Sequence, residues 1–246
     1  MEDALLTAIL DTPSDAGSRL AYADWLEKQG DPRGGYLRAE AKAFQQGSGG
    51  SEGIARIRRL AVGLDPVWVA RISRPPVGVC CDRVRFKKNW GAAPRLQPVA
   101  FTKVESWIGT NLPPAYRAFL LNYNGGQPDP SRFTLSSGRH RRVDELLSIW
   151  SPEGASEDFD LDLVSFAEDH LVGNPPLRQP GIGIPADCIK IGVCDLTGEG
   201  DTLCLAFTGK RRGQVSLVNP PLGPSEGEAT VTQVAESFPA FLAMLH

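Results

Sequence analysis

The sequence is poor in the residues on which most metal and covalent chemistry depends. It has three histidines in 246 residues. These are His140, His170 and His246, and none stands in an H-x-x-x-H, H-E-x-x-H or Cys/His spacing, so no metal site is expected. The five cysteines are odd in number and scattered as Cys80, Cys81, Cys188, Cys194 and Cys204, without the C-x-x-C of a redox motif or the dense even pattern of a stapled secreted domain. Reduced thiols are expected, with the last three serving as small apolar fillers in strands. No apolar run reaches the ~18 residues of a membrane span, and Met1-Glu2-Asp3 opens the chain without the basic n-region of a secretory signal, so a cytoplasmic protein is expected. Phosphate cradles are missing too: Gly181-Ile182-Gly183 lacks the third glycine of a dinucleotide fingerprint, and no G-x-x-x-x-G-K-[ST] occurs. No cofactor is expected. Charge of one sign is also missing, since 26 Lys and Arg stand against 29 Asp and Glu for a net charge of -3. Neither nucleic acid nor an anionic membrane is an expected partner.

What is present is a globular composition, 41% hydrophobic and 22% charged, sufficient for one or two cored domains. The first 75 positions read as helix. Leu5, Leu6 and Ile9 form a first apolar face, Ser14 is placed to cap a second helix carrying Leu20, Ala23 and Leu26, and Gly30 sits at its left-handed terminus. A third helix bears Leu37, Ala41 and Phe44. Gly47 to Ser51 reads as a connector, Ile54, Ile57, Leu60 and Ala61 as a fourth helix, and Asp65-Pro66 as cap and first turn of a fifth with Trp68, Val69 and Ile72.

Beyond Pro76 the pattern becomes mixed. Arg83, Arg85, Lys87, Lys88 and Arg95, interleaved with Phe86 and Trp90, fit a charged edge strand better than an RNA platform. Thr102 and Glu105 have capping-box spacing ahead of Val104, Trp107 and Ile108. Tyr116, Phe119, Leu120 and Tyr123 follow at helical spacing and Asn124-Gly125-Gly126 ends that helix. Arg132 to Leu135 and Val143 to Trp150 read as strands around a basic loop of Arg139, His140, Arg141 and Arg142, and Asp160 to Leu171 reads as helix. Ile189, Ile191 and Val193, then Leu203, Leu205 and Phe207, then Val215 and Leu217, predict a three-stranded antiparallel meander. Ser237 and Pro239 open a last helix with Phe238, Phe241, Leu242 and Leu245 on one face. Without βαβ alternation the class is α+β: a small all-helical N-terminal module, then an antiparallel sheet packed against helices.

Two acidic runs invite a catalytic or calcium reading. Asp195, Thr197, Glu199 and Asp201 alternate oxygen side chains, yet an EF-hand loop starting at Asp195 needs Glu at its twelfth position, which is Ala206. A solvated hairpin turn is the simpler account. Glu153, Glu157, Asp158, Asp160 and Asp162 fit a helix start better than paired catalytic carboxylates. No nucleophile, base or metal constellation emerges, so an enzyme is not expected.

Two segments resemble known families. The run Arg19-Leu20-Ala21-Tyr22-Ala23-Asp24-Trp25-Leu26-Glu27-Lys28-Gln29-Gly30-Asp31-Pro32-Arg33-Gly34, with Asp24 and Trp25 at its centre, resembles the bacterial repeat-companion domain over residues 1–75, a family with no biochemical activity to carry over. After a connecting segment at 76–97, Leu112-Pro113-Pro114-Ala115-Tyr116-Arg117-Ala118-Phe119-Leu120-Leu121-Asn122-Tyr123-Asn124-Gly125-Gly126 resembles the signature of the SUKH superfamily. Ile191-Gly192, Gly200-Asp201, Gly213 and Ser237-Phe238 fall in the same family order, so the resemblance spans 98–246. Leu112, Pro113, Tyr116, Phe119, Leu120, Asn124, Gly125 and Gly126 are read as mainly structural.

The SUKH superfamily includes yeast regulators of cell-wall synthesis and bacterial immunity proteins that cover the active surface of a toxin. The resemblance therefore implies a non-enzymatic, bacterial, protein-binding protein whose partner is another protein, a toxin domain such as a nuclease. Asp195, Glu199 and Asp201 of the turn, with Asp144 and Glu145, are the groups nominated to complement a basic cleft. The alternative is an intracellular regulator or scaffold whose N-terminal module docks to a larger assembly and whose SUKH-like part recognises a peptide or ligand.

Overall fold

The structure, a computed structural model, describes residues 1–12, 15–45, 50–73, 84–87, 101–149, 184–195, 201–219 and 229–246. The chain divides into two compact units, Met1–Val79 and Cys80–His246.

The first unit holds five helices: α1 (Glu2–Asp11), α2 (Ala16–Lys28), α3 (Arg33–Gln45), α4 (Gly50–Ala61) and α5 (Pro66–Ile72). The cap of α2 is Asp15, whose carboxylate accepts from the Gly17 and Ser18 amides; Ser14, the expected cap, lies outside the described residues. The start of α5 follows the sequence, with Asp65 accepting from Val67 N–H and Pro66 in the first turn. Gly30 closes α2 at φ +70°, a conformation that costs a residue with a Cβ about 1–2 kcal/mol.

The buried face of α2 runs through Arg19, Tyr22, Ala23 and Leu26, so Leu20, expected there, is only half-buried. Leu60 is likewise mostly on the surface of α4. The core gathers Leu6, Ile9, Tyr22, Leu26, Tyr36 and Trp68, and two charged residues, Arg19 and Glu40, are buried with it. Arg19 pairs with Glu40 at 3.5 Å, both 2% exposed or less, and donates to the Ile72 carbonyl at 2.9 Å. Arg33 forks onto Asp31, reaches Glu2 at 2.7 Å and lies over the Trp68 ring at 5.3 Å. Tyr22 Oη donates to the same Glu2 oxygen, and these bonds hold the carboxyls of Glu2 and Asp31 below their usual range. A Cβ on Gly34 would stand 2.6 Å from Glu27 Cγ and 3.0 Å from the Ala23 carbonyl, which is what lets α2 and α3 pack closely.

The second unit contains β1 (Arg85–Lys87), α6 (Phe101–Ile108), α7 (Pro114–Tyr123), β2 (Gln127–Asp129), β3 (Arg132–Thr134), β4 (His140–Leu146), β5 (Cys188–Cys194), β6 (Asp201–Ala206), β7 (Val215–Asn219), β8 (Thr230–Ala235) and α8 (Phe238–Met244). Strands β3 to β8 form one six-stranded antiparallel sheet in sequence order, and β1 pairs with β2. The expected three-stranded meander is thus its centre, and β3–β4 and β8 extend it.

Two local expectations are corrected. His140, Arg141 and Arg142 are strand residues of β4, opposite Thr134, Phe133 and Arg132, so the basic loop shrinks to Arg139 and its neighbours. Thr102 lies inside α6, and Glu105, instead of closing a capping box, accepts from the Leu112 amide at 2.9 Å. The expected helix at 160–171 lies outside the described residues, as do Cys80, Cys81 and the basic residues 83, 88 and 95. In β1 Arg85 and Lys87 face solvent while Phe86 turns inward, meeting Phe119 edge-to-face at 5.1 Å and Tyr123 at a tilt at 4.6 Å. That alternation is what a charged edge strand requires.

Candidate partner-binding surface

The Leu112 to Gly126 signature is the hinge of the second unit's core. Pro114 starts α7, whose inward face presents Tyr116 and Phe119, both fully buried, to Phe238 of α8 at 5.0 and 4.9 Å. Phe241 completes the cluster against Phe133 of β3 at 5.6 Å. Ser237 caps α8 through the Ala240 amide, and burial raises the Tyr116 phenol far above its ordinary range.

The Asn-Gly-Gly ending does more than stop the helix. Asn124 adopts the left-handed conformation at φ 47°, and its side-chain amide pairs both ways with Ile149, accepting from its N–H at 2.7 Å and donating to its carbonyl at 2.9 Å. A Cβ on Gly125 would lie 2.6 Å from the Leu146 carbonyl, and one on Gly126 would lie 2.8 Å from that of Lys87. These glycines let α7's exit pass between β1 and β4, with Gly126 and Leu146 exchanging backbone hydrogen bonds. Leu112, Pro113 and Leu120 are buried. The buried leucines, aromatics and glycines of the signature are thus committed to packing, and Pro114 stands at the surface, whereas in the first unit Asp24 stays on the surface, paired with Arg38 at 2.6 Å, and Trp25 is partly buried against the core.

The nominated acids are partly brought together. Asp144 on β4 and Asp195 and Asp201 at the facing ends of β5 and β6 meet at one end of the sheet, where Cys194 opposes both Val143 and Asp201. Arginines the sequence assigned to a loop neutralise them. Arg141 lies 2.8 Å from Asp201 and 3.6 Å from Asp195, and Arg142 lies 2.6 Å from Asp144. The Arg142 amide also donates to Asp195. Side-chain exposure sorts the group: 38% for Asp195, 11% for Asp144 and 8% for Asp201. Asp201, which also accepts from Asn219, is an internal anchor and not the exposed turn residue expected from the sequence. Glu145 is half-buried opposite Val193, and Glu199 lies outside the described residues. The missed signal was strand parity: Arg141 falls opposite Phe133, on the inner face.

A polar cleft of about 330 Å³ beside this end is lined by Lys87, Gln127, Asp129, Ser131, Arg142 and Asp144. Its charges are satisfied internally, by Lys87 with Asp129 at 3.3 Å and Arg142 with Asp144. Among the described residues no group of three or more His, Cys, Asp or Glu is placed to hold a metal ion, and no helix is long and apolar enough to cross a membrane. Cys188, Cys194 and Cys204 are buried free thiols. Burial, with Asp187 alongside, pushes Cys188 up to about 12, and burial raises the other two as well. Protonated thiols of this kind are poor nucleophiles.

No curated protein matches the chain. A family model, that of the SMI1 / KNR4 family (SUKH-1), matches residues 96–244, the span that holds the aromatic cluster, the Asn-Gly-Gly passage and the six-stranded sheet. More than half of the chain is covered, and the chain belongs to the SMI1 / KNR4 family (SUKH-1).

Proposed function

We propose that this protein is a non-enzymatic binding protein that acts as an immunity protein, covering the active surface of a cognate toxin domain such as a nuclease. Family membership over residues 96–244 carries the reading, because immunity proteins are prominent among SUKH domains. The burial of the signature supports it: with Tyr116, Phe119 and the glycines committed to packing, recognition falls to surface groups. Asp195, Asp144 and Glu145 are the nominated contacts, together with Glu199, which lies outside the described residues. Rim charges of this kind mainly set the rate of association. The test is affinity capture with the full-length chain from its native lysate, followed by an activity assay on the captured protein. Capture of one stoichiometric toxin that loses activity when bound supports the proposal; retained activity in the complex rejects it.

A second reading rests on the first unit. Its separate core, lying outside the family match, is more than a stand-alone inhibitor requires, and it favours a bacterial cytoplasmic regulator or scaffold docked to a larger assembly. Capture of several subunits of one standing complex, with no inhibited activity, would favour that reading.

A further inference from the structure

Across the β3–β4 ladder the register sets two arginines directly against each other, Arg132 opposite Arg142, with Thr134 opposite His140 and Phe133 opposite Arg141. Alternation puts Arg132, Thr134, His140 and Arg142 on one face of this ribbon. The other face belongs to Phe133, which packs on Phe241 of α8. Arg132, His140 and Arg142 are exposed, and Thr134 is half-buried. Directly opposed side chains have Cβ atoms about 5 Å apart, and like charges so placed destabilise a sheet. Protection of the edge does not call for this pairing, since an acidic residue at position 132 would guard β3 equally and attract Arg142. The neighbouring anions leave the pair uncompensated. Arg142 commits Nε and Nη2 to Asp144 at 2.9 and 2.6 Å, which leaves Nη1 outside that pair. Among the described residues Arg132 has no ion-pair partner, and His246 meets it through the backbone, in the plane of the sheet. Thr134 Oγ1 and His140 Nδ1 lie 3.0 Å apart, which fixes the imidazole beside the two guanidinium groups.

We propose that this face of the β3–β4 ribbon binds a phosphate monoester or free phosphate as a dianion, seated between Arg132 and Arg142 with Thr134 and His140 beside it. Such a group carries nearly two charges and three acceptor oxygens, which suit two guanidinium forks reaching it from opposite strands. Its charge also removes the repulsion that the register builds in. A single carboxylate is met by one fork, as Asp144 is by Arg142, and leaves the other arginine unanswered. A nucleic-acid backbone offers one charge per phosphodiester and is drawn by a broad basic field, which a chain of net charge -3 does not supply.

Thermal unfolding of the full-length chain in inorganic phosphate, against chloride at matched ionic strength, tests this. The expected result is a rise in unfolding temperature that follows a binding curve with a dissociation constant of about 1 mM. Arg132→Ala weakens that response at least about tenfold, yet in chloride it unfolds no lower than wild type, because it removes one of two like charges. The double change Arg85→Ala with Lys87→Ala removes exposed basic residues of β1 and leaves the response intact. In nitrogen-resolved spectra of the wild-type chain, the Arg132 Nε–H signal moves with the same midpoint. A phosphoserine peptide bound at least about tenfold more tightly than inorganic phosphate identifies a phosphorylated side chain as the ligand, and equal affinity identifies free phosphate. Three results overturn the proposal: no saturable response, a response that Arg132→Ala leaves unchanged, or an Arg132 signal that stays still while the unfolding temperature rises.

Discussion

The two units use their sequence strings in opposite ways. In the first, the most distinctive residues are charged and directed inward: Arg19 and Glu40 face each other at 3.5 Å inside the core, and Arg33 is clasped by Asp31 and Glu2 over Trp68. In the second, they are aromatic or lack a side chain, with Tyr116 and Phe119 filling the core and Gly125 and Gly126 passing between backbones. Buried charge gives little net stability when intact and a large loss when one partner is removed. Aromatic packing and steric glycines contribute stability directly.

The largest effects should come from breaking each unit in its own currency. Phe119→Ala removes a fully buried ring touching Phe86 and Phe238 and is expected to cost about 3–5 kcal/mol, read as a lowered unfolding midpoint in denaturant. Gly125→Ala puts a Cβ 2.6 Å from a carbonyl oxygen at φ +80° and should cost a similar ~3 kcal/mol or more. Glu40→Ala removes the carboxylate that faces buried Arg19 and should also cost about 3–5 kcal/mol, yet the paired change Arg19→Met with Glu40→Leu should be close to neutral or stabilising. Equal losses for the single and paired changes would contradict the contrast.

Asn124→Ala tests a smaller term. It removes the two hydrogen bonds to Ile149 and an αL-tolerant residue, for an expected loss of about 1–3 kcal/mol. Asn124→Gly keeps the backbone freedom and should recover part of that. pH separates the units further. The folded-state carboxyls of Glu2 and Asp31 sit below their ordinary values of 4.5 and 3.8, so the stability they contribute is present above those values and lost as pH falls through the folded ones. In the second unit, Cys188 rises from 9.0 to about 12, so its contribution is complete below pH 9.0 and lost as pH climbs towards 12. Hydrogen exchange followed by mass spectrometry should show α1 and α3 loosening first on the acid side and β5 loosening on the alkaline side. Both units responding together at each extreme would argue against separate cores.

Much of this architecture was legible in the chain. Asp65-Pro66 and Ser237-Pro239 act locally, through caps, and the structure holds them as read; β5 forms where the alternation of Ile189, Ile191 and Val193 places it, but a bulge at Ile191 breaks the two-residue period and puts Ile189 and Val193 on opposite faces. The failures involve partners distant in sequence. Glu105 abandoned its capping box for the Leu112 amide, Arg19 took a core position because Glu40 neutralises it, and Asp201 left the surface because Arg141 lies 60 positions away in sequence and 2.8 Å away in space. β8 was not read because its Thr and Gln positions blur the alternation that an edge strand needs only weakly. Charge reversal should have the smallest effect of all. Asp195→Lys gives up the acceptor of the Arg142 amide and the pairing with Arg141, costs about 1 kcal/mol of stability and slows association with a basic partner severalfold at low salt, measured by surface plasmon resonance; an unchanged rate would remove this end of the sheet from the interface.

The most direct test of the account is affinity capture with the full-length chain, comparing wild type with Asp195→Lys and with Phe119→Ala, and assaying what is bound. The expected result is one stoichiometric protein whose activity is inhibited in the complex, captured more slowly by the charge-reversed chain and lost by the unfolded-core variant. Full activity of the captured protein while bound to the wild-type chain would contradict it.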